Sequence, residues 1–114
     1  MLNLTPHPIT FQIDGRDPVT LPPTGMVARV ETTERPAGAV TVNEAGLIGN
    51  VPVIRREMGQ VTGLPHDDTI PVIVSSIVLA ALPGRYNTFA PDTGPTAIRN
   101  EAGHIVAVTR LVAA

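Results

Sequence analysis

The chain has no cysteine, no lysine and no tryptophan. Without cysteine there are no disulfides, no thiolate nucleophile and no thiolate-bound zinc, and nothing in the residue usage points to an oxidising compartment. Aromatics amount to Phe11, Tyr86 and Phe89, so stacking platforms for single-stranded nucleic acid are lacking. The eight basic residues, all arginine, are spread along the chain against ten acidic ones for a net charge of −2. That distribution excludes a basic nucleic-acid arm and a polybasic membrane anchor. The longest apolar-rich run, Ile70 to Leu82, spans about thirteen residues where a membrane helix needs roughly 20. The opening Met1-Leu2-Asn3-Leu4-Thr5-Pro6 carries neither the basic stretch nor the apolar core of a signal peptide. The expectation is a soluble, cytoplasmic protein with neither a membrane nor a nucleic-acid polymer as partner.

What is abundant is β-branching: 14 Val, 9 Ile and 13 Thr. Branching at Cβ restricts χ1 and suits a pleated strand better than a helix. The 10 Gly and 12 Pro, scattered at intervals, would interrupt any long helix but fit tight turns between short strands. A length of 114 residues fits one domain, residues 1–114. The fold class expected is mostly β: a small twisted antiparallel or mixed sheet, or a partly open barrel, with one short α-helix.

Along the chain, Ile9-Thr10-Phe11-Gln12-Ile13 alternates, and Asp14-Gly15 turns it toward Val19-Thr20-Leu21 as a hairpin. Met26 to Thr32 reads as the next strand. Ala39–Val42 and Val51–Arg55 read as a second hairpin across Asn43-Glu44-Ala45-Gly46, with Pro52 marking an edge strand. Ile70-Pro71-Val72-Ile73-Val74 is continuously apolar, the signature of a strand covered on both faces. Ser75-Ser76 can cap a helix over Ser76 to Leu82 that Pro83-Gly84 stops. Pro83 to Pro95 shows no period. Thr96 to Arg99 and Ile105 to Val112 form a hairpin around Asn100-Glu101-Ala102-Gly103.

Several residues are candidates for chemistry. The strand-to-helix junction at Ser75 and Ser76 would present free N–H groups and hydroxyls to a phosphate or carboxylate. Arg99, on a short strand expected beside Ile70–Val74, is placed to add a bidentate contact. His7 is held between Pro6 and Pro8, which fix the backbone behind the ring. Asp92-Thr93-Gly94 is the tripeptide of aspartic proteases, where two aspartates share a proton. Here Ala90-Pro91 precedes it in place of an apolar strand, and a turn in which Asp92 accepts from backbone N–H groups accounts for it better. His66-Asp67-Asp68 reads as a solvated acidic turn. No histidine is paired at metal-ligand spacing and there is no Gly-rich phosphate loop, so no metal and no cofactor is expected.

Leu4-Thr5-Pro6-His7, Pro22-Pro23-Thr24-Gly25 with Ala28-Arg29-Val30, Gly63-Leu64-Pro65, Ile73-Val74-Ser75-Ser76, and Ala90-Pro91-Asp92-Thr93-Gly94-Pro95 with Arg99, Gly103 and Ile105 resemble a family of short bacterial and phage proteins. The resemblance covers nearly the whole chain, leaves out Pro36 to Asn50, and brings no catalytic residue with it. It implies a small free-standing protein carried by a mobile element, and in that setting one that sequesters a signalling nucleotide.

The leading expectation is a non-catalytic module that binds an anionic or nucleotide-like ligand. His7, Arg29, Ser75, Ser76, Asp92, Thr93 and Arg99 would border one pocket. A small hydrolase using His7 and Asp92 is the alternative, and a structural or protein-interaction subunit the third. Few charges and many apolar β-branched residues favour a homo-oligomer.

Overall fold

The computed structural model describes residues 1–114. About half of the chain, 48%, lies in strands, with one short helix and several small sheets, none closed into a barrel. It divides into two compact units, Met1–Val30 with Val61–Ala114 (the body) and Glu31–Gln60 (the arm).

The body is organised around β6 (Val72–Ile73). β1 (Leu2–Asn3) pairs with it in parallel on one side, and β7 (Thr88–Pro91) in parallel on the other. β10 (Leu111–Ala113) joins β7 antiparallel and completes a mixed four-stranded sheet. Val72, Ile73 and Val74 are each fully buried. The reason is the pleat: Val72 and Val74 face a cluster with Leu4, Ala28, Val78 and Leu79, while Ile73 faces the other way onto Ile9 and Val108. Each such burial contributes roughly 1.5–3 kcal/mol, and both faces are used because both are covered.

The first cover is α1 (Ser76–Ala80). Ser75 caps it by accepting from the Val78 N–H, and Val78 and Leu79 supply its buried side. The helix ends two residues before the expected Leu82, where Leu82 and Arg85 N–H close tighter turns and Gly84 at φ +75° redirects the chain. The second cover is a pair of hairpins. β2 (Ile9–Phe11) pairs with β3 (Val19–Leu21), and β8 (Ile98–Arg99) with β9 (Ile105–Ala107). A parallel bridge from Phe11 to Val108 joins the two.

Three features of the body depart from expectation. β7 arises inside the aperiodic Pro83–Pro95 stretch, because Thr88 is buried as a polar residue whose hydroxyl donates to Tyr86 O and accepts from Arg85. Ile105–Val112 is not one strand. The chain bends at Thr109-Arg110, leaving β10 to pair with β7, and Arg110 O accepts from Asp92 N–H at the corner. Consequently the strand carrying Arg99 does not lie beside Ile70–Val74, whose neighbours are β1 and β7.

The arm is formed by β4 (Arg29–Glu44) and β5 (Leu47–Thr62), two sixteen-residue strands joined at Ala45-Gly46. Ala45 and Gly46 both have positive φ, +50° and +82°, the two-residue turn whose twist matches the strands it joins. The expected strand Ala39–Val42 and the Arg29–Thr32 part of the expected Met26–Thr32 are thus one strand, while Met26–Ala28 precede it outside any strand. Thr41 bonds Asn50, whereas a Cβ on Gly59 would meet Glu31 at 3.4 Å, which spends ten residues on β4 against nine on β5. Gly38 at φ +88° takes up the extra residue as a bulge. Pro52 stands in an edge strand, as expected, since a two-stranded sheet has only edges.

Candidate functional site

The N-terminal loop is built around Asn3, whose side chain is fully buried in the body. Its Nδ2 donates to His7 O (2.8 Å) and Leu21 O (3.1 Å), and its Oδ1 accepts from Thr5 N (3.0 Å) and Thr5 Oγ1 (2.6 Å). Every hydrogen-bonding position of the amide is occupied, which offsets its desolvation. The result is a fixed loop that presents the exposed His7 ring at its end.

His7 and Thr93 line one cleft of about 330 Å³, together with Pro8, Thr10, Pro91 and the segment Ile105–Val108. The Phe11–Val108 bridge and the β7–β10 pairing draw these distant segments together. Arg99 donates to Thr93 O at 3.3 Å and to Gly103 O at 2.8 Å, so its guanidinium holds the Thr93 loop from the exposed side.

Asp92 anchors the same loop. Its Oδ1 accepts from Gly94 N–H at 3.0 Å, the turn expected from the sequence, and its Oδ2 from Arg110 Nε at 2.5 Å. The Gly94 N–H first, and then the Arg110 guanidinium, hold the Asp92 carboxyl below the usual carboxylate range. Both oxygens are therefore engaged within the loop and stay ionised at neutral pH. The neighbouring Thr96 hydroxyl is buried without a hydrogen-bond partner.

The remaining candidates lie elsewhere. Ser75 spends its hydroxyl on its own helix. Ser76 lines a different cavity, about 410 Å³, walled by Leu79, Pro83, Pro91 and several alanines, where it supplies the one side-chain hydroxyl. Arg29 is exposed at the start of β4 and lines neither cavity. So the structure brings His7, Asp92, Thr93 and Arg99 to one region and leaves Ser75, Ser76 and Arg29 outside it. The reason is the pairing of β8 with β9 in place of β6, which puts Arg99 with the Thr93 loop and away from the Ser75-Ser76 junction.

Arg110 and the Ile105–Val108 wall were not singled out by sequence reasoning. Eighteen residues separate Arg110 from Asp92, and only the bend after Val108 makes them neighbours. At His66-Asp67-Asp68, Asp67 Oδ1 accepts from the Thr69 hydroxyl and N–H, which lower its pKa. No group of three or more His, Asp or Glu side chains is placed to hold a metal ion, and no helix is long and apolar enough to cross a membrane. Compared with family models, curated proteins and solved structures, the chain finds no match.

Proposed function

We propose that the protein is a non-catalytic module that binds a small anionic or nucleotide-like molecule in the cleft between His7 and Thr93. One observation carries this reading: residues 86 positions apart border a single cleft with apolar walls and a few convergent polar groups, the usual make-up of a small-molecule site. Pro8, Pro91 and Ile105 suit a flat apolar body, while the His7 ring and the Thr93 hydroxyl suit an anionic edge, and Arg99 holds the Thr93 loop in place from outside the cleft. Asn3 and Asp92 fix the two loops beforehand, which lowers the ordering cost of binding. The resemblance to phage proteins favours a host signalling nucleotide as the ligand and sequestration as the role. The protein acts as a homo-oligomer in this reading.

Calorimetric titration with a panel of linear and cyclic nucleotides tests it. Binding should weaken at least tenfold in His7→Ala and in Arg99→Ala, and stay unchanged in Ser76→Ala, whose side chain lines the other cavity. Heat release after incubation should return intact nucleotide. Cleaved product would instead favour the hydrolase, and no binding by any anion would leave the chain a structural or interaction subunit.

A further inference from the structure

We propose that the tip half of the arm is a self-association surface, its Val40, Val42, Leu47 and Val51 face packing on the same face of a second copy. This assigns a surface to the self-association proposed above and is independent of the ligand cleft. The Thr41–Asn50 side-chain hydrogen bond puts those two residues on one face of the ribbon. Their neighbours Val40, Val42 and Val51 therefore share the opposite face, and period-two alternation adds Leu47. Val40, Leu47 and Val51 are 55%, 58% and 44% exposed, an apolar row with nothing over it. An isolated two-stranded ribbon is marginal in water, whereas a second ribbon laid on this face makes a four-stranded sandwich with a dry centre.

Charge selects the occupant. The arm carries Glu31, Glu34, Glu44 and Glu57 against Arg35, Arg55 and Arg56, nearly neutral. Two of its ion pairs, Arg35–Glu57 and Arg56–Glu34, are closed within the arm. The net charge of −1 that remains is too small to select a basic partner, while an apolar face is complementary to itself about a two-fold axis. Area is sufficient. An even share of the 7927 Å² surface gives the arm about 2,100 Å², so overlap of one face over half its length buries about 1,000 Å² across two copies, where specific interfaces begin.

Sedimentation equilibrium of the full chain at micromolar concentration tests the proposal. The wild type should have twice the 12.0 kDa chain mass. Val40→Glu with Val51→Glu should weaken association at least a hundredfold, and Ile48→Glu, on the opposite face, should leave it unchanged. Because the chain has no cysteine, Val51→Cys under mild oxidation should give a covalent dimer and Ile48→Cys should not. A monomeric wild type overturns this surface and self-association together. An oligomer indifferent to the Val40 and Val51 changes, or equal crosslinking from both cysteine variants, overturns the surface alone.

Discussion

The body and the arm use strands in opposite ways. Body strands are two to four residues long, yet three consecutive residues, Val72 to Val74, are wholly removed from solvent. Arm strands run for sixteen residues each, and not one residue between Glu31 and Gln60 is buried. Strand length and burial are therefore unrelated here. In the body, short segments from far apart in the chain interleave, and stability comes from packing on two faces. In the arm, pairing is local, the turn at Ala45-Gly46 sets it, and exposed ion pairs add only a little.

Substitutions sharpen that contrast. The largest effect is expected from Leu4→Ala, whose side chain is buried in the body core: a loss of roughly 3–4 kcal/mol in urea unfolding, the usual range for such a truncation. Asn3→Ala should cost roughly 2–3 kcal/mol, because the partly buried carbonyls at His7 and Leu21 lose their donor and the buried Asn3 site is emptied. Gly63→Ala should cost about 2 kcal/mol: Gly63 has φ +86°, and an added Cβ would lie 2.5 Å from Val27 O. In the arm, by contrast, a double-mutant cycle on Arg35 and Glu57 should return at most about 0.5 kcal/mol, as both side chains are more than half exposed. If the arm pair matched the body substitutions, the contrast would be wrong.

The smallest effect should appear only as a pH dependence. The Asp92 pKa is lowered in the folded state, so its contribution is fully present above the ordinary value of 3.8 and is lost as pH falls through the lowered folded value. The gap in Tm between wild type and Asp92→Asn should be constant near neutrality and shrink below pH 3.8. A gap that widened on acidification would contradict the Asp92–Arg110 assignment.

The same contrast explains what could be read beforehand. β6 was legible because burial on both faces leaves a continuous apolar run, and the β2–β3 and β8–β9 hairpins because Asp14-Gly15 and Asn100–Gly103 mark their turns. The arm was only half legible: a ribbon exposed on both faces needs no alternation, so Glu34-Arg35-Pro36-Ala37-Gly38 reads as a break where it is a bulged strand. β7 was hidden because its burial depends on Thr88 being satisfied by Arg85 and Tyr86, which no local pattern announces. For the site, the Asp92 turn was legible from Asp-Thr-Gly chemistry. The split between Arg99 and the Ser75-Ser76 junction was not, since it depends on which strand β8 pairs with.

The saturated amide of Asn3 has a consequence for how the protein ages. Deamidation would exchange one nitrogen for an oxygen, and two donations to His7 O and Leu21 O would become two sets of facing lone pairs at a partly buried site. That exchange begins with attack by the following backbone nitrogen, and Leu4 N–H is tied to Ile73 O at 2.8 Å. Chemical wear at this position therefore has to wait for β1 to peel away from β6, and the sheet guards the very atom on which its N-terminal loop depends.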